Sequence, residues 1–153
     1  MIAVIQRVKK AAVSVEQNVV GSCNAGLLIL LGVAANDSEE DAKALARKII
    51  NLRIFTDEND KLNLSVKDVN GEALVVSNFT LLANYKKGNR PDYLNSARPE
   101  LAERLYEYFV ELLSLEISSV QKGAFGEHME INAICDGPIT ITMDSNVLLN
   151  KNV

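Results

Sequence analysis

The first part of the chain alternates between polar and apolar residues and then becomes continuously apolar. Alternation predicts two short strands, one in residues 2–8 and one in residues 13–15. Residues 26–33 (GLLILLGV) are apolar without interruption, which is typical of a strand buried on both faces. The chain is therefore predicted to start with three strands, of which the third lies at the centre of a sheet.

A helical pattern follows the buried strand. Ser38 suits an N-cap, because its hydroxyl can accept a hydrogen bond from the first turn, and the next three residues are acidic, as the helix dipole favours. Apolar residues then recur at helical spacing, at Ala42, Leu45, Ala46, Ile49 and Ile50. A helix is predicted from Ser38 to about residue 50.

The middle of the chain returns to strand patterns. Leu62, Leu64 and Val66 alternate with polar residues, as in a half-buried strand. Asn70-Gly71 is a hairpin turn signal. Residues 73–82 (ALVVSNFTLL) then predict a second strongly apolar strand.

The last third holds a second helix and the final strands. A polar loop over residues 84–97 leads to Pro99, which suits the first turn of a helix. The apolar stripe of that helix is formed by Leu101, Leu105, Phe109, Leu112 and Leu113. Alternation resumes at Met129, and Asp136-Gly137-Pro138 divides it into two runs. The whole pattern predicts one α+β domain over residues 1–153, with mostly antiparallel strands and two main helices.

Composition narrows the class of protein. The 153 residues are 48% hydrophobic and 24% charged, which is ordinary for a globular protein. No apolar run reaches the ~18 residues that cross a bilayer, and the N-terminal apolar stretch is too short for a signal peptide. Cys23 and Cys135 are far apart and form no CxxC. We therefore expect a cytoplasmic protein with reduced thiols.

Charge and missing motifs exclude several chemistries. A formal net charge of -4 argues against general coating of nucleic acid, so a polyanion would have to meet a local basic patch. The chain has no HExxH, Cys/His metal spacing, GxSxG, Walker loop or GxGxxG. The single histidine, His128, falls in a segment predicted as strand, where it is more often structural or solvated than part of a triad. An enzyme of this sequence would work through backbone groups and its substrate's own reactivity.

Several segments in matching order and spacing resemble the D-aminoacyl-tRNA deacylases, also called D-tyrosyl-tRNA deacylases. Residues 77–81 (SNFTL) resemble the family's first signature, SQFTL, and residues 136–140 (DGPIT) resemble its second, NxGPVT. Shorter matching blocks are residues 5–8, 26–33, 51–55, 63–65, 88–91 and 97–101. The chain departs from the pattern at Asn78, usually glutamine, at Cys135, usually asparagine, and at Ala124, where arginine is common.

The resemblance implies a barrel-like, homodimeric fold that hydrolyses the ester between a D-amino acid and tRNA. Such an ester is activated, so the main requirement is to stabilise the oxyanion of the tetrahedral intermediate. The implied catalytic residues are Ser77, Asn78, Phe79 and Thr80, at the end of the second buried strand, with the Phe79 and Thr80 amides as oxyanion donors. A nucleophilic Thr80 would need a base, and none is near it in sequence. We therefore favour Thr80 as a positioning residue, with water or the ribose hydroxyl attacking.

The second signature is implied to select chirality. Gly137-Pro138, with a cis peptide bond, would reach into the active site of the partner subunit, although sequence alone favours trans because only ~5–6% of such bonds are cis. A rigid backbone wall against Cα admits hydrogen and rejects a side chain. It would therefore accept D-residues and glycine and exclude L-residues.

Six further residues are expected to hold the substrate or to support the filter: Arg7, Phe125, Met129, Lys86, Lys87 and Arg90. Arg7 would brace Gly137-Pro138, the two apolar residues would line the pocket for the terminal adenosine or aminoacyl group, and the three loop cations would meet tRNA phosphates. Each also has an ordinary interpretation as a core or solvated residue.

The implied partners are the acceptor end of tRNA and a second copy of the chain, with no cofactor, metal, membrane or DNA. Two alternatives remain open at this stage. One is a related deacylase with a different substrate preference, and the other is a dimeric nucleic-acid-binding protein without catalysis.

Overall fold

The computed structural model describes residues 1–151, so the last two residues of the predicted domain lie outside it. Eight strands, three α-helices and one 3-10 helix follow one another in this part of the chain. In order they are β1 (Ile2–Val15), β2 (Asn18–Cys23), β3 (Gly26–Gly32), α1 (Glu39–Ile50), β4 (Phe55–Thr56), β5 (Leu62–Leu64), β6 (Glu72–Ser77), the 3-10 helix (Phe79–Leu82), α2 (Pro99–Ser114), β7 (Val120–Lys122), β8 (Glu130–Asp144) and α3 (Ser145–Leu148).

The long strand β1 organises the main sheet. It pairs antiparallel with β2, β3 and β8. Ile5 faces Ile29 of β3 and Ile141 of β8, so those two strands occupy opposite edges of β1. β6 then pairs parallel with β3, and β7 parallel with β6, while β4 and β5 form a separate antiparallel pair.

The sheet curves until β7 lies against β2. A Cβ atom on Gly21 of β2 would be 2.4 Å from the carbonyl oxygen of Lys122 in β7, so only glycine permits this approach. The Ser22 amide also donates to Oε1 of Gln121 at 2.8 Å. The result is a nearly closed, barrel-like sheet.

Both faces of β3 are buried, as its apolar sequence predicts. Leu27, Ile29 and Leu31 pack in the main core, and Leu28 packs in a smaller cluster on the other face. The main core also contains the apolar stripes of the two long helices, including Leu45, Ile49, Leu105, Phe109 and Leu113. Each such side chain contributes about 1.5–3 kcal/mol when it is removed from water. The core thereby fixes α1 and α2 against the sheet.

Buried Asp41 ties α1 to the end of the described chain. Its carboxylate accepts hydrogen bonds from the Ser38 amide at 2.9 Å, the Ser145 hydroxyl at 2.8 Å and Nζ of Lys151 at 2.7 Å. Burial acts to raise the pKa of Asp41, but these hydrogen bonds, led by that of Lys151, outweigh burial and hold the pKa well below its usual range. The charged form of Asp41 is therefore the form that the fold stabilises.

The α+β class and both main helices are confirmed. Ser38 caps α1 in a capping box with Asp41, and Pro99 is in the first turn of α2. Most strand pairings in the described residues are antiparallel. The short helix α3 was not predicted, since four residues carry too little periodicity. None of the described helices is long and apolar enough to cross a membrane.

Two predictions of strand breaks are wrong. Residues 2–8 and 13–15 belong to the single strand β1, and the break in alternation coincides with register shifts around Val8 in the pairing with β8. The runs on either side of Asp136 likewise belong to the single strand β8. Pairing along both edges of β1 keeps the chain extended through these irregularities.

Other strand predictions extend too far. β5 ends at Leu64, and Val66 is buried in the turn that follows. Asn70 has a left-handed φ of 50°, as a turn requires, but β5 and β6 do not pair, so the turn is not a hairpin. β6 ends at Ser77, so residues 79–82 are a 3-10 helix rather than strand. His128 lies in the loop before β8, not on a strand.

Candidate active site

A cavity of about 920 Å³ opens at the carboxyl end of β6. Three segments that are distant in sequence meet around it: residues 76–80, 93–99 and 125–129. Leu31 of the central strand lies at its wall. All four residues of the predicted catalytic segment, Ser77, Asn78, Phe79 and Thr80, line this cavity.

Asn78 turns the chain out of the sheet. Its amide still donates to the Leu31 carbonyl at 2.8 Å, which continues the parallel pairing. Its side-chain Oδ1 accepts hydrogen bonds from the Thr80 amide at 3.2 Å and the Thr80 hydroxyl at 2.5 Å. This side-chain cap starts the 3-10 helix one residue later.

The cap distinguishes the two amides that the resemblance implies as oxyanion donors. The Thr80 amide is already engaged by Asn78. The Phe79 amide is at the start of the 3-10 helix, where backbone donors have no helical partner, and within residues 1–151 it has no acceptor. Phe79 therefore supplies the available donor at this end of the cavity.

The Thr80 hydroxyl has no base beside it. It donates to an amide oxygen, which does not take up a proton at neutral pH. His128 lines the same cavity, but no hydrogen bond joins it to Thr80 in the described structure. The cavity therefore lacks the geometry of a hydroxyl nucleophile activated by histidine.

The Gly137-Pro138 peptide bond is cis, as the resemblance implied. Gly137 has a φ of 128°, which is suited to glycine, and both residues are exposed. They do not line the cavity of their own chain. Gly137-Pro138 therefore faces outward from the chain that carries it.

Arg7 contacts the residue before this dipeptide. Its Nε lies 3.0 Å from Oδ2 of Asp136, and Nη1 donates to the Ile54 carbonyl at 2.8 Å. The guanidinium also lies 6.0 Å from the ring centroid of Phe55. Arg7 is largely buried, and its Nε forms no hydrogen bond within the described residues, so the contact with Asp136 is an ion pair beside the start of the second signature.

Comparison with known proteins assigns the family. The family D-Tyr-tRNA(Tyr) deacylase matches residues 4–144, which include both signatures. The chain belongs to this family. The D-aminoacyl-tRNA deacylase of Caldicellulosiruptor saccharolyticus is 55% identical over 95% of this chain and 97% of that protein.

Solved structures agree on the fold of this family member. The c-Myc DNA Unwinding Element Binding Protein aligns with a TM-score of 0.89 and 37% identity, covering 94% of this chain and 98% of that one. A probable eukaryotic D-amino acid tRNA deacylase aligns with a TM-score of 0.81 over the same shares at 15% identity, which shows the fold alone.

The two predicted pocket residues of this deacylase-family chain do lie at the cavity. Phe125 and Met129 both line it. The Phe125 ring packs 5.9 Å from that of Tyr106, which is buried and donates its hydroxyl proton to the Val75 carbonyl at 2.8 Å. Burial raises the pKa of Tyr106, so this residue acts as a neutral, structural support for the wall.

The predicted loop cations lie outside the cavity. Lys86, Lys87 and Arg90 are exposed on the loop that follows the 3-10 helix, and none forms an ion pair within the described part of the chain. They are available to a partner that approaches the cavity from solvent.

Sequence analysis missed several cavity residues: Tyr93, Leu94, Arg98, Glu127 and His128. The adjacent aromatic and aliphatic residues Tyr93 and Leu94, in a largely polar loop, were a usable signal for the first two. Arg98 was noted within a family block, but nothing in its spacing showed that the N-terminus of α2 borders the cavity. Among residues 1–151, no group of three or more His, Cys, Asp or Glu side chains is placed to hold a metal ion.

Proposed function

We propose that this chain hydrolyses the ester between a D-amino acid, or glycine, and the 3′ end of tRNA in the cytoplasm. Membership of the D-Tyr-tRNA(Tyr) deacylase family supports the reaction class. The observation that carries the proposal is the available Phe79 amide beside a cavity of about 920 Å³. No side-chain nucleophile is needed, because an aminoacyl ester is already activated.

The reaction consists of addition and elimination at the ester carbonyl. Water or the neighbouring ribose hydroxyl adds to the carbonyl carbon and gives up its proton to solvent, from which the departing ribose oxygen later takes one, and the electron pair of the C=O bond moves onto oxygen. The Phe79 amide donates to this oxyanion, and such a donor contributes about 2.7–4 kcal/mol to the transition state. Collapse of the intermediate expels the ribose oxygen, which takes a proton and leaves with the tRNA. Attack by the ribose hydroxyl gives a migrated ester that water then cleaves by the same two steps.

The chirality filter requires a second copy of the chain. Gly137 and Pro138 are exposed and lie outside their own cavity, so they can act only on another subunit. Within residues 1–151, β8, which carries them, pairs only with β1 and exposes Ile131 and Ile134. An open strand edge with exposed apolar side chains favours pairing with another chain. We therefore propose a homodimer in which each subunit supplies Gly137-Pro138 to its partner, with Arg7 bracing this element through Asp136.

Three esters test the filter: D-Tyr-tRNA, L-Tyr-tRNA and Gly-tRNA, each measured with and without a chelator. We expect cleavage of the D- and glycyl esters, resistance of the L-ester, and no effect of the chelator. Cleavage of all three would refute the steric wall. Inertness toward Gly-tRNA would refute a filter that reads only the substituent on Cα. Sedimentation in solution tests the dimer independently.

A second candidate is nucleic-acid binding without catalysis. One similar solved structure is a DNA unwinding element binding protein. The net charge of -4 argues against duplex binding by this chain, since duplex affinity depends on neutralising phosphates. Salt-dependent binding to a DNA duplex, without cleavage of any of the three esters, would favour this candidate.

A further inference from the structure

Three exposed apolar side chains form a shelf at the mouth of the cavity: Phe79, Tyr93 and Leu94. Their exposed fractions are 58%, 36% and 87%. The Phe79 and Tyr93 rings pack edge to face, with centroids 5.0 Å apart and an angle of 74° between planes. The proposed ester hydrolysis uses the Phe79 backbone but none of these side chains, so the shelf needs another explanation.

Hydrogen bonds hold the shelf in place. Asn84 and Asp92 exchange two backbone bonds, of 2.8 and 2.9 Å, at the base of the loop. Oδ1 of Asp92 accepts from the Leu94 amide at 3.3 Å. The Ser96 hydroxyl donates to the Phe79 carbonyl at 3.4 Å, which joins the loop to the 3-10 helix. A surface that is ordered before binding loses less entropy when a ligand arrives.

Unpaired cations lie on the same loop as two of the three shelf residues. Residues 84–98 contain four, Lys86, Lys87, Arg90 and Arg98, against one carboxylate, Asp92, which is hydrogen-bonded to Asn84. All four cations are exposed and none forms an ion pair within residues 1–151. Arg98 also lines the cavity. Exposed aromatic rings on a loop that also carries free cations match the chemistry of a single-stranded nucleic acid. The bases of such a strand stack on aromatic rings, and its phosphates bind positively charged side chains.

We propose that the shelf binds the unpaired bases that precede the terminal nucleotide of tRNA, and that Arg98 contacts a phosphate of the same strand. The inference rests on the proposed function, which places the terminal aminoacyl nucleotide inside the cavity. The chain must then leave through the mouth, where the shelf lies. Stacking is tolerant of base identity, so the shelf serves every tRNA with an unpaired 3′ end.

The test compares a long and a short substrate. D-Tyr-tRNA contains the preceding bases, whereas 3′-O-D-tyrosyl-adenosine lacks them. The variants are Tyr93→Ala, Leu94→Ala and Arg98→Gln, with Leu115→Ala as control, since Leu115 is a 74% exposed leucine away from the cavity. Leu94 is 87% exposed, so its truncation leaves the fold intact even if Tyr93→Ala is destabilised.

We expect the shelf variants to raise KM for D-Tyr-tRNA by a larger factor than they raise KM for the short substrate. Tyr93→Ala removes an aromatic ring on which a base can stack, which corresponds to an increase of about 5- to 150-fold in KM for D-Tyr-tRNA. Leu94→Ala should raise this KM by a smaller factor. Arg98→Gln should reduce the slope of log KM against log salt by about 0.7. Leu115→Ala should match the wild type on both substrates.

Equal losses on both substrates would overturn the proposal, because the shelf would then belong to the aminoacyl site. Unchanged KM for D-Tyr-tRNA in all three variants would also overturn it. The proposed function is tested separately by whether the wild type cleaves D-Tyr-tRNA. If it cleaves neither substrate, fluorescence anisotropy with an uncharged CCA-ended RNA hairpin decides the question, and equal affinity of wild type and Leu94→Ala would reject the shelf.

Discussion

Replacement of Thr80 by alanine separates two mechanisms by several orders of magnitude. The Thr80 hydroxyl makes one hydrogen bond, to Oδ1 of Asn78 at 2.5 Å. An exposed bond of this kind contributes about 0.5–1.5 kcal/mol, which corresponds to about 2- to 13-fold in rate if it acts only in the transition state. Loss of a true hydroxyl nucleophile costs on the order of 10⁶-fold in kcat. We therefore expect Thr80→Ala to retain about a tenth of wild-type turnover or more.

The assay is single-turnover cleavage of D-Tyr-tRNA with enzyme in excess. Thr80→Ser is the matched control, because it keeps the hydroxyl that donates to Asn78 and should retain wild-type turnover. Acid quenching during the reaction should trap no acyl-enzyme in the wild type. A loss beyond about 10⁴-fold in Thr80→Ala, with an unchanged melting temperature and full activity in Thr80→Ser, would refute the positioning role and establish Thr80 as nucleophile.

Two further predictions concern stability, and urea denaturation measures both. Lys151→Met should lower the free energy of unfolding by about 1–3 kcal/mol at pH 7, because it removes the ammonium partner of buried Asp41. Since the folded-state pKa of Asp41 is lowered, the loss in free energy of unfolding caused by Lys151→Met should persist above pH ~4 and shrink as the pH falls below it. A loss that grows in acid would contradict this. Gly21→Ala should lower the free energy of unfolding by about 1–3 kcal/mol, because its Cβ would clash with the Lys122 carbonyl. The control Ser22→Ala should have nearly wild-type stability. Equal stability of the two variants would contradict barrel closure at Gly21.

The sequence predicted those elements whose signals are local. Ser38, Pro99 and the apolar stripes of α1 and α2 define both helices without reference to the rest of the fold. The continuous apolar run of β3 likewise predicted burial on both faces. Strand ends were harder to predict. β1 remains a single strand across an irregularity in its alternating pattern because it pairs with β8, and the pattern alone predicts an interruption there.

The candidate site was predicted only where its signals are local in sequence, as with the secondary structure. The two signatures located Phe79, Thr80 and Gly137-Pro138 in sequence. They did not show that the shorter Asn78 side chain occupies the Thr80 amide, which depends on the exact turn at the end of β6. Nor did they show that α2 begins at the cavity and places Arg98 there, since that depends on tertiary packing.

The pairing of β1 with β8 also determines the order in which the molecule can assemble. Ile2 lies opposite Asp144, so partners about 140 residues apart must meet. At about 5–20 residues per second, a ribosome takes about 7–28 s to make the intervening chain. During that interval β1 can form a hairpin with β2 and β3, but its second edge has no native partner. The nascent chain therefore exposes the second edge of β1 until β8 has been made, and during that interval this edge can pair with other chains.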